Sequence, residues 1–198
     1  MLGEEMPLRR ILVASALPGE GKSTITYNLA LAFGEIGQRV IIADADFHRP
    51  SLHRTAKTRN EKGFTDLLAG TSVLTESTTT ISEQVRLVPR GSALSIPARV
   101  GLGTRRLTEV LVNMESEADY ILIDSSPILL VPDNLYIASA ADGILLVVDS
   151  GATRPRDLLR TKEALERTGT PIIGVVLNRA PLRQTNYYYK QYMTYYKA

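Results

Sequence analysis

Between Ile11 and Thr24 the chain reads ILVASALPGEGKST, and no other run constrains the fold as much. Ile11, Leu12, Val13 and Ala14 suit a strand buried on both faces of a parallel sheet. Pro18, Gly19, Glu20 and Gly21 then turn the chain into Lys22, Ser23 and Thr24. Beyond them Ile25, Leu29, Ala32, Phe33 and Ile36 recur at helical spacing. Strand, glycine-rich turn, Lys-Ser and helix make the arrangement of a phosphate-binding loop. A triphosphate needs several backbone N–H groups aimed at it, and Gly19 and Gly21 let the backbone curl close with no side chain in the way. The helix from Lys22 adds unsatisfied N–H groups and the positive end of its dipole. Pro18, Gly19, Glu20, Gly21, Lys22, Ser23 and Thr24 are therefore expected to bind ATP. Lys22 would reach the β and γ phosphates and the Ser23 hydroxyl would ligate Mg2+. One position departs from the pattern: Ala16 stands where a glycine six residues before the lysine is usual.

Arg39 to Asp44, RVIIAD, reads as a second buried strand after a helix stop at Gly37. It runs into Asp44-Ala45-Asp46, two carboxylates at the C-terminal end of a parallel strand, where α/β sheets build their sites. The spacing admits a loop of Asx turns as well as metal and base chemistry beside the phosphates. Tyr120 to Ile123 is an apolar strand ending in Asp124. Downstream of a phosphate-binding loop, such an Asp is the usual second half of the site, holding Mg2+ through Ser23 or water.

The remaining segments fall into an alternating order. Gly63 to Gly70 reads as a short helix with Phe64, Leu67 and Leu68 on its apolar face, and Val85 to Pro89 as a short strand. Ser92 to Thr104 reads as an irregular loop, and Thr104 to Glu117 as a helix burying Leu107, Val110, Leu111 and Met114. Pro132 to Ala140 suits a short helix and Gly143 to Asp149 a buried strand. Pro155 to Thr168 is an amphipathic helix begun by Pro155 and stopped by Gly169, with Leu158, Leu159 and Leu165 apolar. Ile172 to Asn178 is the last strand. This alternation predicts an α/β fold like that of P-loop NTPases, a mostly parallel sheet with helices on both faces.

A chain of 198 residues suits one domain by default. A net charge of only +2 makes no case for nucleic acid as a partner. With no cysteine, disulfides and thiolate metal sites are excluded. No run of 18 apolar residues is present to span a membrane. The opening MLGEEMPLRR lacks the apolar segment of a secretory signal. The tail is different in kind: Thr185 to Ala198 reads TNYYYKQYMTYYKA and holds six of the nine tyrosines. Adjacent tyrosines cannot all face one core. By composition the tail reads equally as a surface that packs on a partner and as a set of phosphate acceptors on a flexible arm.

Together these motifs resemble those of the bacterial tyrosine kinases, or BY-kinases, which govern capsule and exopolysaccharide synthesis. The likeness runs from about Ile11 to the end. SALPGEGKST (Ser15 to Thr24) resembles the family's Walker A motif, VIIADADFHRP (Val40 to Pro50) its Walker A′ and YILIDSSP (Tyr120 to Pro127) its Walker B. The tyrosine-rich C-terminus is the most specific mark. The resemblance implies a kinase catalytic domain over residues 1–182 and a flexible tail over 183–198. It implies Lys22, Asp44, Asp46 and Asp124 as catalytic, with Asp44 deprotonating the incoming tyrosine. Ser23, Asp46 and Asp124 would organise Mg2+, and Asn178 would lie near the base of the nucleotide. Tyr187, Tyr188, Tyr189, Tyr192, Tyr195 and Tyr196 would be the phosphoacceptors, presented in trans by a neighbouring copy. The implied partners are further copies in a ring, a membrane activator or a transmembrane part outside this chain, and a cognate tyrosine phosphatase. The implied location is the cytoplasm, at the inner face of the membrane.

Several positions depart from that family. His48 stands where Arg is usual, with Arg49 following, and SIPARVGLGTRR replaces a Pro- and Asn-rich stretch. The family's helix before the first strand, with a Glu and two Arg at three-residue spacing used in ring assembly, has no counterpart ahead of Ile11. A rival resemblance is to the ATP-driven dimerising switches of the septum-site and partition type. These share the Walker A′ aspartates but carry an extra lysine five residues before the conserved one, where this chain has Leu17. A nucleotide-binding regulatory scaffold without catalysis is the other alternative, in keeping with Ala16 and His48.

Overall fold

The structure is a computed structural model that describes residues 8–93, 95, 101–102 and 105–181. It opens with β1 (Arg10–Ser15), α1 (Lys22–Glu35) and β2 (Val40–Ala45), followed by the short α2 (Leu52–Thr55) and α3 (Phe64–Ala69). A 3-10 turn (Leu74–Glu76) leads to β3 (Thr79–Thr80) and β4 (Val85–Val88). Then come α4 (Arg105–Glu115), β5 (Tyr120–Ser125), α5 (Asn134–Ser139), β6 (Gly143–Asp149), α6 (Pro155–Glu166) and β7 (Ile172–Asn178). Among the described residues the strands form one sheet in the order β3-β4-β2-β5-β1-β6-β7. Every pairing is parallel except β3 with β4. This is the expected α/β fold. The tail from residue 183, with its six tyrosines, and most of the predicted Ser92 to Thr104 loop lie outside the described residues.

Alternation along the strands divides the core in two. Leu12, Ile41, Ile121, Ile123 and Ile144 face a layer built from α3, α4, α5 and α6, while Ile11, Ile42, Val85 and Leu122 face α1. The α4 face is as the spacing predicts, with Leu107, Val110, Leu111 and Met114 all buried. The α1 face is not. Its fully buried line is Lys22, Thr26 and Ala30, whereas Ile36 is 72% exposed. One turn beyond Ala30, Gly34 touches Val85 so closely that a Cβ would sit 2.8 Å from its methyl carbon. Small residues four apart let α1 lie low on the sheet, and its larger apolar side chains splay to the flanks. On α6, Thr161 and Leu165 are buried and Leu159 is 59% exposed. The last strand is an edge: Ile173, Val175 and Leu177 are exposed, so the sheet is not fully covered there.

One carboxylate ties the top of β4 to α3. Asp66 accepts the Gly63 N–H at 2.9 Å, the Ser92 N–H at 3.1 Å and the Ser92 hydroxyl at 2.7 Å. Gly63 itself lies against the Pro89 carbonyl and, with a Cβ, would sit 2.6 Å from the Gly91 nitrogen. We expect Gly63→Ala to lower the melting temperature by about 4 °C or more. Overpacking costs about 1–3 kcal/mol, and each kcal/mol moves a chain of this size by about 2–4 °C. Thermal unfolding followed by circular dichroism measures it, and an unchanged melting temperature contradicts the packing described.

Candidate active site

The loop between β1 and α1 needs glycine at two points. Gly19 and Gly21 adopt φ of 81° and 100°, a region that residues with a side chain enter only at a cost. Gly21 carries a second demand, since a Cβ there would run into the Asn178 amide. Two predicted site residues hold this loop from behind. Glu20 is buried; its carboxylate accepts the Leu17 N–H at 2.8 Å and the Thr153 hydroxyl. Asn178 donates its side-chain N–H to the Glu20 carbonyl at 2.9 Å. The support continues outward. Thr153 accepts the Asp149 N–H, and Asp149 pairs with Arg179 at 2.5 Å. Arg179 follows Asn178 directly, with its φ at 55° and its N–H on the Asn178 side-chain oxygen.

In front of the loop lies an open cavity of about 430 Å³. Pro18, Gly19, Gly21, Lys22, Ser23 and Thr24 form one wall, and Asp46, His48 and Arg49 stand across from them. Ser51, Ser126, Pro127, Leu130, Val131 and Arg179 complete the lining. Its polar half fits phosphate: N–H groups at a helix N-terminus with a buried lysine. His48 and Arg49 both line the cavity.

Beneath the cavity two carboxylates lie side by side. Asp44 and Asp124 are register partners on β2 and β5, and both are fully buried. Ser23 donates its hydroxyl to Asp124 Oδ2 at 2.5 Å, while Asp124 Oδ1 and Asp44 Oδ2 have no hydrogen-bond partner. Burial pushes the Asp44 carboxyl up to about 8, reinforced by the neighbouring Asp124 charge. Burial likewise raises Asp124 to about 7, against the pull of the Ser23 hydrogen bond and the Lys22 charge. Buried carboxylate oxygens left unpaired are rare and costly. Here they suit a hard divalent cation held by one carboxylate and a hydroxyl, its other positions filled by water and phosphate. Among the described residues no group of three or more acids or histidines could hold a metal ion.

Asp46 is placed differently from its sequence neighbour. Its Oδ1 accepts the Ser126 hydroxyl at 2.7 Å and the Arg49 and His48 N–H groups at 2.9 and 3.3 Å. It thus shapes the loop that carries His48 and Arg49 as well as lining the cavity. The structure brings Lys22, Ser23, Asp44, Asp46 and Asp124 together; Glu20 and Asn178 buttress them, and the tail tyrosines lie outside the described residues. Sequence reading missed Thr153, Asp149 and Arg179. Only the position of Arg179 beside Asn178 offered a signal.

The two raised carboxyls set a pH dependence. In the folded chain, free of metal, they keep protons that the unfolded chain loses above the ordinary carboxylate value of about 4. The folded state binds more protons, so stability falls as pH rises, from about 4 up through about 7 to 8. Asp44→Asn removes one buried acid and is expected to be more stable than the parent at pH 8, with the gap narrowing toward pH 5. Thermal melts in chelator across that range test this, and a gap constant with pH contradicts it.

Comparison with known proteins supplies the family. The ParA family model, described as NUBPL iron-transfer P-loop NTPase, matches residues 8–193. The tyrosine-protein kinase YwqD of Bacillus subtilis (strain 168) is 30% identical over 182 residues, 91% of this chain and 76% of that protein. The crystal structure of the VpsO kinase domain superposes with a TM-score of 0.81 at 28% identity, covering 88% of this chain and 86% of its own. The septum site-determining protein MinD of Pyrococcus horikoshii OT3, solved with Mg-ADP, gives a lower TM-score of 0.71 at 27% identity, over 86% and 70% of the two chains. The chain belongs to the ParA family of P-loop NTPases and, within it, to the bacterial tyrosine kinases.

Proposed function

We propose that this kinase transfers the γ-phosphoryl group of Mg-ATP to the tyrosines of a C-terminal tail, presented in trans by another copy of the chain. The observation that carries the reading is Asp44, a buried carboxyl with an unpaired oxygen at the foot of the phosphate cavity. The loop's N–H groups and Lys22 hold and neutralise the β and γ phosphates. A bound Mg2+ would bridge the phosphates and screen the charge that develops in transfer. Ser23 and Asp124 would hold that ion, and Asp46 would keep the facing loop in place. Asp44 accepts the proton from the tyrosine oxygen as that oxygen bonds to phosphorus. A phenol of pKa about 10 yields its proton to a carboxylate only late in transfer, as its oxygen bonds to phosphorus.

The switch-ATPase reading is disfavoured by Leu17. Its side chain offers no cation, and its N–H is engaged by Glu20. The wider role follows from the resemblance: control of capsule or exopolysaccharide synthesis at the inner face of the membrane, with a membrane activator and an opposing phosphatase. No helix among the described residues is long and apolar enough to cross a membrane.

Incubation with Mg-ATP followed by phosphopeptide mass spectrometry tests the proposal. We expect phosphate on tyrosines between 187 and 196, none with Lys22→Met, and a rate lower by about 10²-fold or more with Asp44→Asn. ATP hydrolysis without tyrosine labelling, with or without an added activator fragment, would replace this reading with the switch.

A further inference from the structure

The phosphate cavity has a second wall of different chemistry. Past the end of β5 the chain turns, and Pro127, Leu130 and Val131 of that turn line the cavity next to Ser126. Leu130 is 59% exposed. A leucine scattered on an ordinary surface needs no explanation, but this one stands on a cavity wall and its backbone is fixed. The Leu130 and Val131 N–H groups both donate to the Pro127 carbonyl at 3.2 Å. Ile128 and Leu129 donate theirs to the Ser15 and Ala16 carbonyls at 3.0 and 3.4 Å, which fastens the turn to the start of the phosphate loop. From α5 the buried Asn134 gives its side-chain N–H to the Ser126 carbonyl at 2.8 Å.

A rigid apolar wall does nothing for a hydrated cation or for phosphate, which the opposite wall already suits. It suits a ring. A phenol is an apolar body with one polar tip, and transfer requires that tip to be held at the phosphates while the body stays out of water. The position of the wall agrees. It begins two residues past β5, the strand whose Asp124 is the register partner of Asp44. Ser126, directly before it, gives its hydroxyl to Asp46 at 2.7 Å. The apolar surface therefore adjoins the acids within one cavity.

We propose that Pro127, Leu130 and Val131 form the shelf on which the ring of an acceptor tyrosine lies, and that this turn selects phenols over aliphatic hydroxyls. The inference rests on the kinase reading above and adds to it the group that chooses the acceptor. A serine or threonine has no ring to rest there, so its hydroxyl reaches the site unpositioned.

Saturation-transfer NMR of the full chain loaded with Mg-ADP, with N-acetyl-tyrosinamide as the probe, tests the shelf without turnover. The parent should saturate the ring protons of that probe and give no signal with N-acetyl-serinamide. Leu130→Ser should weaken the tyrosinamide affinity about tenfold, and Leu130→Met should restore it. Leu130 is exposed on a turn, so neither change threatens the core. A parent that saturates no ring protons overturns the proposal, as does a signal that Leu130→Ser leaves unchanged. So does a signal present without nucleotide and abolished by Mg-ADP, which assigns the wall to the nucleotide base. Ring saturation that Leu130→Ser removes, in a chain that labels no tyrosine, upholds the shelf and overturns the kinase reading instead.

Discussion

Asp44 and Asp124 stand shoulder to shoulder at the ends of adjacent strands, and neither reaches water. Two like charges so placed repel, and burial adds to the cost. The pair is tolerable with protons bound, or with a cation and the Lys22 ammonium close by. The rest of the site answers to that constraint. Ser23 spends its hydroxyl on Asp124, and Lys22 is held in the buried seam of α1. The β1–α1 loop arches over the place where positive charge is needed. Stability and activity therefore pull in opposite directions at Asp44, as is common where a fold stores unfavourable electrostatics for use in chemistry.

The loop is held by its own Glu20 and by groups at or beyond the ends of two strands, β6 and β7. Glu20 turns its carboxylate inward to the backbone and to Thr153, and Asn178 reaches up from β7 to the Glu20 carbonyl. Asp149 and Arg179 close the chain of contacts from the side. The effect is to preorganise donors, so that little reordering is needed when phosphate arrives. Arg179 lines the cavity, pairs its guanidinium with Asp149 and has its backbone in the left-handed region, which joins the edge strand to the site.

Much of this was legible in the residues. The ILVASALPGEGKST run announced strand, loop and helix, and Asp44 and Asp124 lie side by side on adjacent strands, with Asp46 just past the end of β2. The helix from Arg105 buries the residues that its period indicates. Where hydrophobicity misled, a reason is visible. On α1 the tightest contacts belong to Thr26, Ala30 and Gly34, and a scale that rewards Ile36 misses a seam chosen for smallness. On β7 an unbroken apolar run signals a strand but not whether a neighbour covers it. Glu20 looked like a ligand because it sits inside the motif, yet the direction of its side chain is set by Leu17 and Thr153, which share no local pattern with it.

The small-residue seam of α1 has one more implication. The helix that presents its N-terminus to phosphate also meets the sheet through Thr26, Ala30 and Gly34, with Leu29, Leu31 and Phe33 packed to either side. Such a seam has almost no slack. A bulky replacement near Glu35 would tilt the whole rod, and the tilt would be felt most at the far end, about 20 Å away along the axis. The nucleotide grip is thereby answerable to residues that never meet it, and drift in sequence along that seam would alter ligand affinity before it altered the fold.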